Sequence, residues 1–288
     1  MEGAEILVRK AREALQTKQP SLTARGAAAH RAAHQTLENG AIFADPFACA
    51  ILGEAPQAIA QAEAAKPGRT PMRLFMAARS RFAEDSLEAA YDRGIRQAVV
   101  LGAGFDTFGL RNRHADLRVF EVDHPATQAW KRERIAQAQL AAPSTLTFVP
   151  VDFERQSLAG ELGAHGFDAA RPAFFIWLGV VPYLTRAAVM ATLGFIAAVP
   201  QGEVVFDYSE PLENYPADAR VRAEALAARV ASIGEPFLSH FDPRALHADL
   251  RALGFSDIED LGAAEIAARF FKTQTPQRNG PHILRAGA

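Results

Sequence analysis

Hydrophobic and polar positions fall into two regimes along the chain. From residue 97 onward, short apolar runs rich in β-branched and aromatic residues alternate with stretches of helical spacing. The runs predict strands at 97–102, 118–122, 146–150, 172–177 and 203–208, with helices at about 107–112, 125–141, 155–163 and 185–199. Near-continuous apolar runs are the pattern of strands buried on both faces, and their alternation with helices implies right-handed crossovers and a parallel sheet. A further helix is predicted from Asp242 to Leu253, started by Asp242-Pro243 and stopped by Gly254. Two last strands follow, Asp257 to Leu261 and His282 to Arg285, joined by a short helix from Ala263 to Phe271.

Residues 1–95 hold no convincing strand. Ile6 to Thr17 has helical spacing, ended by Pro20. Thr23 to Asn39 is alanine-rich, with Gly40 as the expected C-cap. Asp45-Pro46 is expected to open a short helix, with Asp45 as its N-cap. The polar stretch from Pro56 to Thr70, which contains Pro67-Gly68, reads as a loop or a weak helix end. Met72 to Arg93 reads as a long amphipathic helix leading into the first strand. The chain thus divides into a helical N-terminal cap (1–95) and an α/β part (96–288), with an insertion at 210–240 placed as a lid.

Composition changes this picture little. The 288 residues are 49% hydrophobic and 22% charged, an ordinary globular balance. A net charge of −2 argues against a nucleic-acid surface or a polybasic membrane patch. Cys49 is the only cysteine, which excludes an internal disulfide. No run of about 18 apolar residues occurs, and the first residues lack an apolar core of signal-peptide length, so a cytoplasmic protein is expected. The histidines and acids show no metal-ligand spacing.

Chemistry concentrates between Gln97 and Asp123. Gly102-Ala103-Gly104 follows the first strand at once, where glycine tolerates positive φ and carries no Cβ. The second strand ends on Asp123, twenty-one residues after Gly102, where a carboxylate can accept hydrogen bonds from ribose hydroxyls. The dinucleotide fingerprint requires a third glycine at position 107, which is Thr107 here, preceded by Asp106. An acid at that turn would repel a pyrophosphate and suit a cationic ligand. S-adenosylmethionine carries a sulfonium and an ammonium and no phosphate, which favours it over NAD. Seven strands ending in a hairpin-like pair form the architecture of class I methyltransferases, a Rossmann-like α/β fold. In such a sheet the ligand lies at the carboxyl ends of the strands. That places Asp152 and Phe153, after the third strand, beside an adenine, or else makes Asp152 the N-cap of the next helix.

Four blocks resemble the leucine carboxyl methyltransferase family and its bacterial S-adenosylmethionine-dependent branch. They are SLTARGAAAHRAA…IFADPFA (Ser21 to Ala48), ARSRFAED (Ala78 to Asp85), VVLGAGFDTFGLR with FEVDHPATQ, and WLGVVPYLT (Trp177 to Thr185). Polyketide O-methyltransferases of the tetracenomycin type belong to the same broad group. The resemblance implies that Arg79 pairs with the cofactor carboxylate and that Gly102 and Ala103 form the turn against the methionine portion. It also implies Asp123 as the ribose ligand and Asp152 with Phe153 as the adenine pair. Gly104 and His124 adjoin these residues, and Arg79 could instead solvate a helix face. Many members carry E-G-V after the fourth strand. This chain has Leu178-Gly179-Val180, so a protein's C-terminal leucine is not carried over as acceptor.

Methyl transfer requires alignment of donor and acceptor and exclusion of water, and a carboxylate acceptor needs no base. A phenol acceptor would gain from one. The candidates are Tyr183, Tyr208, Glu210 and His240, the second and third expected to face the acceptor. His124 could support the ribose site. The expected function is O-methylation of a small-molecule carboxylate or phenol. The alternatives are a NAD-dependent oxidoreductase and a non-catalytic S-adenosylmethionine-binding protein.

Overall fold

The apolar runs become seven strands in a computed structural model that describes residues 21–66, 68–153, 155–273 and 279–288. The strands are β1 (Gln97–Leu101), β2 (Arg118–Asp123), β3 (Leu146–Pro150), β4 (Phe174–Trp177), β5 (Glu203–Ser209), β6 (Asp257–Leu261) and β7 (Pro281–Gly287). They form one sheet in the order β3-β2-β1-β4-β5-β7-β6. The first five are parallel, while β7 runs antiparallel to both β5 and β6. The order reverses between β1 and β4, which opens a crevice at their carboxyl ends.

The helices are α1 (Leu22–Leu37), α2 (Ala48–Leu52), α3 (Pro56–Ala64), α4 (Thr70–Asp92), α5 (Phe108–Arg111), α6 (Pro125–Gln137), α7 (Leu158–Ala164), α8 (Arg186–Ala197), α9 (Ala217–Ser232), α10 (Pro243–Leu253) and α11 (Ala263–Ile266). Alternation along β1 sends Val99 and Leu101 into one core with α8 and α10 residues such as Leu193 and Leu246. Ala98 and Val100 face the other way, against Ala78, Phe82 and Leu87 of α4. A third cluster joins the small residues Ala28, Ala32 and Ala33 of α1 to Ile51, Ile59 and Phe105. None of the helices is long and apolar enough to cross a membrane, among the described residues.

Three expectations change and one lies out of view. The helix expected over Ile6 to Thr17 falls outside the described residues. The helix expected at Asp45 starts instead at Ala48, because the Asp45 carboxylate is taken by Arg31 and Thr107 as well as by the Phe47 N–H. The stretch read as a loop after Pro56 holds the nine-residue α3, with Pro56 in its first turn, where its missing N–H costs nothing. Its Ile59 and Ala60 are buried. The Ala263 to Phe271 helix is α-helical only to Ile266 and continues as a π-turn over Ala267–Phe271.

Two buried polar systems hold the sheet. Lys131 Nζ donates to Glu121 Oε2 at 2.5 Å, both side chains being 1% exposed. Burial pushes the Glu121 carboxyl above its usual range, with Lys131 opposing, and Glu121 Oε1 has no partner among the described residues. At the other edge, the Tyr208 hydroxyl donates to Asp260 Oδ2 at 2.6 Å and His247 Nε2 lies 2.8 Å from the same oxygen. His282 sits between Asp260 (2.8 Å) and Glu210 (3.2 Å) and stacks on Tyr208. Asn214, Asn279 and the Gly280 N–H donate to the same Glu210 carboxylate. Burial opposes the imidazolium, but the two carboxylates outweigh it and raise the His282 pKa.

Breaking a buried ion pair from one side strands a charge. K131M should cost about 3–5 kcal/mol, and E121L/K131M should recover most of it, as read by urea unfolding. An unchanged midpoint for K131M would contradict the pair's structural role. Because the folded pKa of His282 lies above that of a free imidazole, its stabilisation is fully present below about pH 6.5 and is lost as pH rises through the folded value. The difference in melting temperature between wild type and H282Q should therefore shrink as the pH is raised from 6 toward 9. A gap independent of pH would show that His282 is not held as the cation.

Candidate functional site

The crevice is built on the turn after β1. Gly102 and Gly104 have φ of +64° and +47°, left-handed values that a residue with a Cβ adopts at a cost. The Ala103 N–H continues the sheet by donating to the Val122 carbonyl at 3.0 Å. The Gly104 N–H donates to Asp123 Oδ2 at 2.5 Å, and the His124 N–H to Asp123 Oδ1 at 2.7 Å. Glycine turn and acid, separate in sequence, are thus one hydrogen-bonded unit. Burial raises the Asp123 pKa, with these N–H donors and Lys131 opposing. Asp123 keeps partial exposure at the tip of β2. The His124 Nδ1 accepts from the Ala126 N–H at 3.3 Å and caps α6.

The missing Cβ atoms serve packing as well as access. At Gly102 that space is filled by the Val180 side chain, and at Gly104 the Ala24 methyl of α1 lies 3.1 Å from where a Cβ would stand. Loop 178–183 and α1 therefore wall the turn.

Thr107, which replaces the third glycine, is a structural joint. Its Oγ1 donates to Asp45 Oδ1 at 2.7 Å and accepts from Arg111 Nε at 2.9 Å. Arg31 bonds the other Asp45 oxygen at 3.3 Å and the Phe105 carbonyl at 2.6 Å. Asp106, the acid read at this turn, is partly exposed and kept ionised. Its carboxylate accepts the Phe108 N–H, and although burial opposes ionisation, Arg31, Lys131 and Arg111 hold its pKa low.

After β3, Asp152 and the 58%-exposed Phe153 ring stand at the sheet edge, beside Asp123 through the Val151 N–H bond to the Asp123 carbonyl. Asp152 is not the N-cap of α7, a place taken by Ser157. The residues after β4 meet α4. Arg79 Nη1 donates to Asp207 Oδ2 at 2.8 Å, and the Gly179 N–H donates to Asp207 Oδ1 at 2.5 Å. Arg79 is buried in this joint and does not solvate a helix face. Leu178 packs with the α4 core, an apolar residue where the family often has glutamate. The Tyr183 ring lies 5.3 Å from that of Phe237 in the 210–240 segment, and burial is the main cause of its raised pKa. The same segment crosses the loop through Leu238 and Ser239 N–H bonds to the Pro182 carbonyl. Glu235 accepts both the Leu22 and Thr23 N–H groups at the start of α1.

Three sequence candidates have partners within the protein. The Tyr208 hydroxyl is committed to Asp260 in the core, and the Glu210 carboxylate to Asn214, Asn279, Gly280 and His282. His240 Nδ1 lies 3.1 Å from the Glu210 carbonyl. Sequence reasoning missed Asp207 and Gly179. Asp207 lies inside a strand pattern, where nothing separates it from other polar residues, although the L-G-V block already marked Gly179. No group of His, Cys, Asp and Glu side chains forms a metal site among the described residues.

The donor and acceptor set fits S-adenosylmethionine: a partly exposed carboxylate for the ribose, an exposed ring and Asp152 for the adenine, and a guanidinium for the carboxylate. The family model for leucine carboxyl methyltransferase matches residues 24–197. "Putative S-adenosyl-L-methionine-dependent methyltransferase YktD" of Bacillus subtilis (strain 168) is 35% identical over 202 residues, covering 68% of this chain and 66% of its own length. The Streptomyces coelicolor protein of the same description, SCO7813, is 35% identical over 180 residues, which is 60% of this chain and 63% of that protein. The chain thus spans slightly under two thirds of the length of these relatives. Among solved structures, a putative methyltransferase from Thermobifida fusca YX is 17% identical with a TM-score of 0.58, covering 95% of this chain and 97% of that one. A DUF574 family protein from Streptomyces avermitilis is also 17% identical, with a TM-score of 0.53 over 83% of this chain and 94% of its own. These two likenesses show the shared fold, that of the class I methyltransferases. With the family model matching well over half of it, the chain belongs to the leucine carboxyl methyltransferase family.

Proposed function

We propose that the protein is an S-adenosylmethionine-dependent methyltransferase acting on an oxygen of a small molecule, a carboxylate ahead of a phenol. The observation that carries this reading is the Asp123 carboxylate bound to the Gly104 N–H, which fixes an acid beside the glycine turn at the crevice. The cofactor supplies a methyl group made electrophilic by its sulfonium. The chain's own residues bind and orient: Asp123 accepts from the ribose hydroxyls, Asp152 and Phe153 flank the adenine, and Arg79 pairs with the amino-acid carboxylate. The Val180 side chain against Gly102 would give the methionine end an apolar wall.

How the candidate bases are engaged among the described residues supports the acceptor class. Tyr208 and Glu210 are engaged within the protein, His240 is held through Nδ1 alone, and the Tyr183 phenol is pushed up by burial. An acceptor that arrives already ionised at neutral pH suits such a site, and a carboxylate does so. Such an acceptor would need no proton removed before methyl transfer, so no residue of the site would have to act as a base. The 235–239 segment is tied to α1 and to Pro182, which supports a small molecule as acceptor rather than a protein tail.

Calorimetric titration with S-adenosylhomocysteine, with NAD in parallel, tests the reading. Saturable binding of the first alone is expected; binding of NAD, or of neither, would overturn it. D123A should weaken the homocysteine compound by about 1–3 kcal/mol through lost hydrogen bonds. Undiminished affinity would remove Asp123 from the site.

A further inference from the structure

Arg79 can hold a ligand carboxylate only if its guanidinium is kept in one place, and its own helix does not do that. The side chain leaves α4 and reaches the loop after β4, where Asp207, at the outer end of β5, receives it. The two oxygens of Asp207 divide their work: Oδ2 takes Arg79 Nη1 at 2.8 Å, and Oδ1 takes the Gly179 N–H at 2.5 Å. Both ends of the ion pair are under 10% exposed, so the contact is not a solvated surface pair. Gly179 has a φ of +72°, and a Cβ there would stand 3.0 Å from Arg79 Nη2 and 3.1 Å from Nη1. The Nη1–Nη2 edge of the guanidinium therefore lies close to a backbone position where a side chain would crowd it. Among the described residues Arg79 bonds through Nη1 alone, which leaves the Nη2 and Nε donors for a further oxygen.

We infer that Asp207 is a positioning residue for cofactor binding. With Gly179 it clamps the Arg79 guanidinium so that the donors left over meet the amino-acid carboxylate of the cofactor. The inference rests on the proposed methyltransferase reading. It assigns Asp207 no contact with the reacting atoms.

D207N isolates the clamp. The asparagine oxygen can still accept the Gly179 N–H, while its amide presents N–H to Arg79 Nη1, donor against donor. The probes are S-adenosylhomocysteine and 5′-methylthioadenosine, which keeps adenine, ribose and thioether but lacks the amino-acid carboxylate. D207N should weaken the homocysteine compound by about tenfold or more and methylthioadenosine by less than about twofold, as R79M should, and adding D207N to R79M should bring no further loss. Equal weakening of both ligands, or an unaffected homocysteine compound in D207N beside a selective loss in R79M, would overturn the clamp and leave the function intact. Failure of the wild type to bind S-adenosylhomocysteine would overturn the function and the clamp together. If D207N does not fold, G179A poses the same question with Asp207 present. Its methyl group displaces the guanidinium, so the same ligand-selective loss is expected, and unchanged affinity for both ligands overturns the inference.

Discussion

The Asp45 carboxylate is the constraint on which the site depends. It is fully buried, and it is reached by Arg31 from α1 and by Thr107 from the turn after β1, with Arg111 3.5 Å away. A buried carboxylate is tolerated only when it is paired and hydrogen-bonded, so these partners cannot drift without leaving a charge stranded. Through them the N-terminal helices, which share no strand with the sheet, are fixed against the glycine turn. The Arg31 bond to the Phe105 carbonyl and the Ala24 contact at Gly104 follow from that placement. The cap is thereby part of the crevice wall.

A second joint mirrors the first on the far side of the crevice. Asp207 draws α4 and the loop after β4 together, and the Glu235 carboxylate draws the start of α1 to the lid segment. Three carboxylates, each bonded to backbone or guanidinium donors, thus join elements distant in sequence around one cleft. The apolar cores place those elements to within a helix turn, and the charged joints set the remaining angles.

Much of this was legible in the residues. Strands β1, β2, β4 and β5 follow from apolar runs, because strands buried on both faces leave a signal that depends on burial alone, whereas β6 is an acidic, half-exposed edge strand. The glycine turn and Asp123 were legible because backbone conformation and strand-tip geometry restrict residue choice there. The partners of polar side chains were not legible. Thr107 reads as a lost glycine until Asp45 is seen beside it, and Asp106 reads as an open charge until the Phe108 N–H closes on it. Tyr208 and Glu210 follow the fifth strand as an acceptor-facing pair would, yet alternation turns Tyr208 into the core and Glu210 meets residues seventy positions later. The α3 helix was hidden by its polar composition, since only Ile59, Ala60 and Glu63 of its nine residues are buried. Long-range pairing of polar groups leaves no local periodicity.

The position of β7 has a consequence for how the chain reaches this state. It lies between β5 and β6, pairing from Ser209↔Pro281 to Glu203↔Gly287 along one edge and with β6 along the other. Until residues 281–287 have left the ribosome, β5 presents a bare row of N–H and C=O groups beside Val204, Val205 and Phe206, a ready template for another chain. Sheet closure therefore waits for the residues between Ser209 and Pro281, and the nascent protein carries an open apolar edge while they are made. Lesions that delay the last strand would act on yield and solubility well before they touched the crevice.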